Sequence, residues 1–267
     1  MHSKLLFGAF LLFFSSICLA DITMTYPQEI TMQNGASITA GQLSGGQTFD
    51  LIFSDNSGYE FEWDTIDIAA PSIPAGWEVV AKERTDTSLV LRIKVPSGAQ
   101  SNIYSLKVLF SNSQNSGIVE SATIKVAVKK NLLDVSFVRK SRDEFYYVGA
   151  KVIYNVTISN SSIAPATVSV SSSLPSNWFS SRGAVLKPNS VEDIELVVSP
   201  QTSGVQPFTF RAFSQEENVI VQSFSSELNV RPTLKGKFAA PLSGFPFFTF
   251  SLLPFQLFDS FFSLVLP

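Results

Sequence analysis

The chain has 267 residues, is 45% hydrophobic, and carries a formal net charge of −3 from 19 basic and 22 acidic side chains. Its sole His (His2) and sole Cys (Cys18) lie in the first 20 residues, so the remainder cannot form disulfides, Cys or His zinc sites, thiol nucleophiles or His general bases. The short basic cluster Arg139-Lys140-Ser141-Arg142 runs straight into Asp143 and Glu144, and no long basic run exists, which argues against nucleic acid as a partner.

Residues 1–20 read as a secretory signal helix. Lys4 precedes the apolar run Leu5 to Phe14, and Ser15-Ser16-Ile17-Cys18-Leu19-Ala20 supplies small residues at a cleavage point before Asp21. A lipid-modified Cys18 is the competing reading, but Ile17 stands where a lipobox expects a small residue. A run this short spans a bilayer poorly.

From residue 21 to about 232 the pattern is short strands divided by Gly, Pro, Asn and Ser. Phe49, Leu51 and Phe53 alternate with Asp50, Ile52 and Ser54, and Val152, Tyr154, Val156 and Ile158 repeat the pattern. Period two with β-branched and aromatic enrichment predicts antiparallel sheets with one buried face. The halves also match each other at offsets near 100 residues. Gly46 pairs with Gly149, Phe49-Leu51-Phe53 with Val152-Tyr154-Val156, and Pro74/Trp77 with Pro175/Trp178. Leu91, Ile93 and Val95 align with Ile194, Leu196 and Val198. Tyr104, Leu106 and Val108 align with Phe208, Phe210 and Ala212, and Ile124/Val126 with Leu228/Val230. The predicted fold is all-β: two tandem immunoglobulin-like sandwiches over 21–130 and 131–232.

The order Leu174-Pro175-Ser176-Asn177-Trp178, Leu186-Lys187-Pro188-Asn189-Ser190, Ile194 to Val198 and Pro200 to Phe210 resembles NPCBM-associated Ig-like domains of prokaryotic surface proteins. Pro74-Ala75-Gly76-Trp77, Val95-Pro96-Ser97-Gly98 and Ile103-Tyr104 fit the first copy similarly, while Asn189 and Pro207-Phe208 depart from the family's usual Gly and Gly-Tyr. The resemblance implies a β-sandwich spacer or surface module and no reaction.

Candidate sites are few. Trp77 and Trp178, both placed after a Pro, read as core fillers. Tyr59, Phe61 and Trp63 alternate with Glu60, Glu62 and Asp64, predicting a strand with one aromatic and one acidic face. Its rings could stack on carbohydrate, and Glu60, Glu62, Asp64 and Asp67 could offer oxygens to calcium, although no EF-hand spacing occurs. Glu192, Asp193, Glu195, Glu216 and Glu217 form no catalytic signature. Asn155-Val156-Thr157 and Asn160-Ser161-Ser162 are glycosylation sequons. No catalytic residue, cofactor or metal site is expected.

The C-terminus differs in kind. Nine of the 24 Phe fall in the last 30 residues, and from Phe238 to Pro267 the only charge is Asp259. An apolar stretch of this length needs a partner. Pro246 and Pro254 interrupt a bilayer-spanning helix, whereas 255–266 suits a short helix with a polar stripe, either lying in the interface or packed on an intramembrane partner. Phe255, Phe258, Asp259, Phe261 and Phe262 are the predicted membrane or partner contacts. The whole reads as an exported, non-enzymatic protein on the extracytoplasmic membrane face, attached through an apolar tail at 233–267. Its role is that of a structural or interaction module, or of the exposed subunit of a membrane complex. A carbohydrate-binding accessory protein and a two-Ig export chaperone are the alternatives.

Overall fold

The computed structural model describes residues 21–115, 117–140 and 143–232. The expected signal helix and the tail with Phe255, Phe258, Asp259, Phe261 and Phe262 lie outside the described residues. Among those described, no helix is long and apolar enough to cross a membrane.

In the first sandwich, one sheet holds β1 (Asp21–Tyr26), β2 (Ile30–Gln33), β4 (Thr48–Ser54), β6 (Glu78–Arg84) and β7 (Ser88–Lys94), in the order β2-β1-β4-β7-β6. The facing sheet holds β3 (Ser37–Leu43), β5 (Thr65–Ile68), β8 (Asn102–Ser111) and β9 (Val119–Val128), in the order β3-β9-β8-β5. Apart from β2 and β3, this is the strand order of a constant-type immunoglobulin domain. Period two drives it. Phe49, Leu51 and Phe53 on β4 meet Leu106, Val108 and Phe110 on β8, all at most 1% exposed. Each such side chain contributes about 1.5–3 kcal/mol by burial.

The second sandwich pairs β10 (Leu133–Arg139), β12 (Val152–Asn160) and β15 (Ser190–Val198) in one sheet. Its other sheet holds β11 (Tyr146–Tyr147), β13 (Ala166–Ser172), β14 (Arg182–Leu186), β16 (Gly204–Ser214) and β17 (Val219–Arg231), in the order β11-β17-β16-β13-β14. One strand has changed sheets between the copies. The same turn precedes it in both, with Trp77 N donating to Pro74 O (3.1 Å) and Trp178 N to Pro175 O (2.9 Å). In the first copy β6 follows at once and pairs with β7. In the second, Phe179 plugs into the core beside Phe210 (5.3 Å) and β14 returns onto β13. Trp77 and Trp178 are both buried.

Strand pairing corrects the repeat's register. Gly46 N donates to Val95 O and Gly149 N to Pro200 O, so Val95 corresponds to Pro200 rather than Val198. Val128 pairs with Asn102 and Val230 with Gly204, so Phe208, Phe210 and Ala212 match Leu106, Val108 and Phe110. By the same pairing Leu228 and Val230 match Val126 and Val128. Each correction is two residues. A slip of two keeps every side chain on its face, so hydrophobic pattern alone cannot detect it.

The sandwiches stack end to end. The loop Ser161–Pro165, between β12 and β13, docks on the end of the first sandwich formed by Gly41–Gln47. Ile163 and Ala164 belong to the first sandwich's core cluster. Ile163 N donates to Gln42 O (2.9 Å), and its carbonyl accepts from the Tyr26 hydroxyl (2.9 Å). Burial, then the nearby Asp50 carboxylate, pushes that phenol's pKa up. At the centre is Gln47, 2% exposed. Its Oε1 accepts from Ser44 N (2.7 Å) and Ser162 Oγ (2.7 Å), and its Nε2 donates to Pro165 O (3.2 Å). Asn160, 1% exposed, donates through Nδ2 to Ala164 O (2.9 Å) and Lys187 O (3.0 Å) and accepts from Ser162 N (3.0 Å). The residue that reads as a sequon acceptor is thus an interior part of the joint and closed to glycosylation in the folded chain. Asn155 is half-buried on the central strand β12.

Gly46 and Gly149 hold equivalent left-handed turns, at φ +84° and +81°. A Cβ on Gly46 would run into the Glu216 carbonyl of the second sandwich, whereas one on Gly149 would meet open space. Gly149→Ala should therefore cost about 1–2 kcal/mol, the backbone term alone. Gly46→Ala should cost more and lower the cooperativity between sandwiches in urea unfolding. Equal costs would contradict the close contact.

Candidate functional site

The free end of the first sandwich is built from the loop Asp55–Asp64 between β4 and β5, the turn after Arg84, and the start of the loop after β8. It is the end equivalent to the one that the second sandwich buries in the joint. The loop Asp55–Asp64 is twice as long as its counterpart Ser161–Pro165.

The expected strand over Tyr59–Trp63 does not form. Asn56-Ser57-Gly58 folds the chain back first. Asn56 Oδ1 accepts from Gly58 N (3.0 Å), Gly58 takes φ +70°, and a single bridge joins Asn56 to Glu62. Asn and Gly favour such Asx turns over extension. Ser57 Oγ then accepts from Tyr59 N and donates to Phe61 O.

Tyr59, Phe61 and Trp63 consequently form a cluster instead of a row. Trp63 is fully buried, edge-on to Phe61 (5.5 Å) and tilted against Phe110 (6.3 Å). Phe61 is half-buried and stacks on Tyr59 (5.2 Å, 13° between planes). The Tyr59 hydroxyl points inward, donating to Glu120 Oε1 (2.7 Å), a carboxylate only 5% exposed. Of the three rings expected on a sugar platform, Tyr59 alone reaches 36% exposure.

Glu62, Asp64 and Asp67 are committed to other contacts. Arg84 pairs with Glu62 (2.7 Å) and lies 3.8 Å from Asp55. Asp67 pairs with Lys82 (2.6 Å), whose hydrogen bond is the main cause of its lowered pKa. Asp64 accepts from both the hydroxyl (2.5 Å) and the amide (2.9 Å) of Ser113. The Ser113 hydroxyl, then its amide, Thr65 and the Arg84 charge, hold the Asp64 carboxyl below the ordinary range. No group of three such side chains among the described residues could hold a metal ion. These residues border an open groove of about 820 Å³, walled by Asp55, Glu60, Glu62, Asp64 and Arg84.

Glu192, Asp193, Glu195, Glu216 and Glu217 form no facing pair. Asp193 accepts from Thr157, Glu195 pairs with Lys140 (2.8 Å), and Glu216 Oε1 accepts from Thr167 N (2.7 Å). Gln47, Ser162 and Asn160 were not legible as joint residues. Their one local signal, the triplet Asn160-Ser161-Ser162, has a different reading in sequence.

No protein family and no curated protein matches the chain by sequence. Among solved structures, fibronectin(III)-like modules of Clostridium thermocellum CbhA align at 13% identity and TM-score 0.26, over 85% of this chain and all of theirs. The titin domains Z1Z2, solved with telethonin, align at 16% identity and TM-score 0.27, over 79% of this chain and 97% of theirs. Escherichia coli alpha-2-macroglobulin aligns at 9% identity and TM-score 0.27, over 82% of this chain and 23% of its own. Scores this low carry no argument, and the two-sandwich assignment rests on the strand pairing above.

Trp63→Ala should cost about 3–5 kcal/mol, as for a large core aromatic. Trp63→Phe should cost far less, because the buried Nε1 finds no protein acceptor and its removal offsets lost volume. Thermal unfolding of both variants checks this, and similar losses would refute it. A depressed carboxylate pKa contributes stability above the unfolded value and loses it as pH falls through the folded one. The Ser113 amide shift should therefore titrate below the usual carboxylate range and become pH-independent there in Asp64→Asn. A midpoint in the ordinary range would contradict the Asp64 contacts.

Proposed function

We propose that this chain is an exported, non-enzymatic module on the extracytoplasmic membrane face, held there by residues 238–267 and presenting the groove of its first sandwich outward. One observation carries the reading. The two ends of the folded region lie at opposite ends of a joined pair of sandwiches. β1 begins at Asp21 beside the tip loops, with Met24 paired to Phe53 near the end of β4. β17 ends at Arg231 at the far end of the second sandwich, one residue before Pro232 and the apolar tail.

Long strands of 9 to 11 residues, such as β8, β12, β15 and β16, at about 3.3 Å each make each sandwich roughly 30 Å tall. Stacked, they hold the tip roughly 60 Å from the tail's origin. The linker Lys129–Leu132 is short, and Lys129 N donates to Leu43 O (2.9 Å) while Leu132 O accepts from Ser161 N (2.9 Å). The joint favours a stiff spacer over a flexible tether, since inter-domain contacts of ordinary size otherwise leave domains mobile. The signal-like Leu5–Ala20 supports export, and the likeness in pattern to NPCBM-associated Ig-like domains supports a spacer or surface role. The same opposition of ends favours removal of residues 1–20, because an anchor at each end would fight the upright arrangement.

Deleting 238–267 should move the protein from the membrane pellet to the soluble fraction. A truncated chain that still pellets, after salt washing, would overturn the anchor.

A further inference from the structure

The end of the second sandwich from which the chain leaves differs in chemistry from the tip. Three of its loops, 148–151, 173–181 and 199–203, contain no Asp or Glu and a single Lys, Lys151. The segment between β10 and β11, which comes close to this end where Lys140 N donates to Ile153 O, adds Asp143 and Glu144. The tip loop Asp55–Asp64 alone contains four acids: Asp55, Glu60, Glu62 and Asp64.

Strand register places an apolar and aromatic patch at the rim of this base, on the outer face of the sheet. Tyr147 on β11 pairs with Arg231 on β17, and Val205 on β16 pairs with Asn229. Residues two apart on a strand share a face. Tyr147, Val205 and Arg231 therefore lie together on the outer face of the five-stranded sheet, opposite the buried Tyr146 and Val230. Tyr147 is 45% exposed and Val205 59% exposed. Phe145 packs edge-on against Tyr147 (5.6 Å), and the Arg231 guanidinium lies 3.6 Å from the Phe145 ring centre. Asp143 and Glu144 lie in the segment just before Phe145, and Glu227 shares the outer face of β17 with Asn229 and Arg231, paired to Pro207, so acids border the patch on its side toward the joint.

Tyr with Arg or Lys at the edge of an apolar surface is the pattern of the membrane interface, where amphipathic rings sit among headgroups and cations meet anionic lipid. Resting on the anchored reading above, we infer that the base of the second sandwich lies directly against an anionic lipid surface. Tyr147 and Val205 enter the headgroup layer, and Lys151 and Arg231 face lipid phosphates. Two features select lipid as the occupant. The tail of nine Phe begins within a few residues of Arg231, which brings the base to whatever the tail enters. The three acid-free loops, with Lys151, suit an anionic surface, and the acidic tip is turned away from it.

The test uses the full chain from Asp21, which contains no Cys, with single labels at Tyr147→Cys, Val205→Cys or Glu60→Cys. Each carries an environment-sensitive fluorophore and is mixed with vesicles of phosphatidylcholine, alone or with phosphatidylglycerol. On anionic vesicles, labels at 147 and 205 should shift to the blue and be quenched by lipids spin-labelled near the headgroup, while the label at 60 stays aqueous. Lys151→Ala should weaken this docking about fivefold on anionic vesicles and not on neutral ones. Two exposed label sites guard against a local folding defect at either. If the protein floats with vesicles but both base labels stay aqueous, the lipid contact is wrong and the anchor stands. A protein that does not float at all overturns the anchor and this inference together. Blue shifts in native membranes but not in pure lipid would assign the base to a membrane protein instead, overturning the lipid contact.

Discussion

The carboxamide of Gln47 sets the arrangement of everything else. It lies at the meeting point of two sandwiches, almost wholly out of water, with both of its heavy polar atoms engaged across or beside the joint. A buried amide left unpaired costs roughly 1–3 kcal/mol, and Ser162 and Asn160 stand under the same penalty. Any rotation of one sandwich on the other would break several of these bonds at once, with no water to replace them. Apolar contact through Ile163 and Ala164 supplies attraction, and the polar network supplies orientation. Gly41 and Gly46 let the backbones come close enough for both, since a Cβ at either would collide with the second sandwich.

The joint explains why two copies of one fold are not interchangeable. The same end of each sandwich carries the loop after the second core strand. In the second copy that loop is short and ends in Ile163-Ala164-Pro165, and it is spent on the first. In the first copy it is longer, knotted by its own turns and packed on Trp63, and it is free. The other end diverges in the opposite sense. In the first sandwich it is small and glycine-rich to receive the joint, and in the second it carries three acid-free loops beside Tyr147 and Val205. Duplication has thus produced a molecule with a polarity, an acidic tip and an apolar base.

Much of this was legible in the residues. Alternation along Phe49 to Phe53 and Val152 to Ile158 marks central strands buried on one face, and the Pro-x-x-Trp pair marks the same turn twice. The failures have physical causes. The repeat aligns two residues out of register in three strands because period two conceals even slips. Tyr59 to Trp63 alternates like a strand, yet Asn56 and Gly58 turn the chain and Trp63 goes into the core. The strand after each Trp goes to opposite sheets because Phe179, a single extra plug, carries one of them over the sandwich edge. Asn160 matches a surface motif although its hydrogen bonds are interior. The joint was invisible because it is made of Gly, Ser, Gln and Asn, residues whose sequence signature is that of any loop.

The joint should make the two sandwiches one stiff body. The direct measurement is a pulsed dipolar distance between spin labels at Asp86→Cys, in the tip turn, and Val205→Cys, at the base, in the chain from Asp21. A single narrow distance distribution, broadened when Gln47 is replaced by Ala, is the result the joint predicts. A broad distribution in the parent chain, unchanged by that replacement, would contradict it.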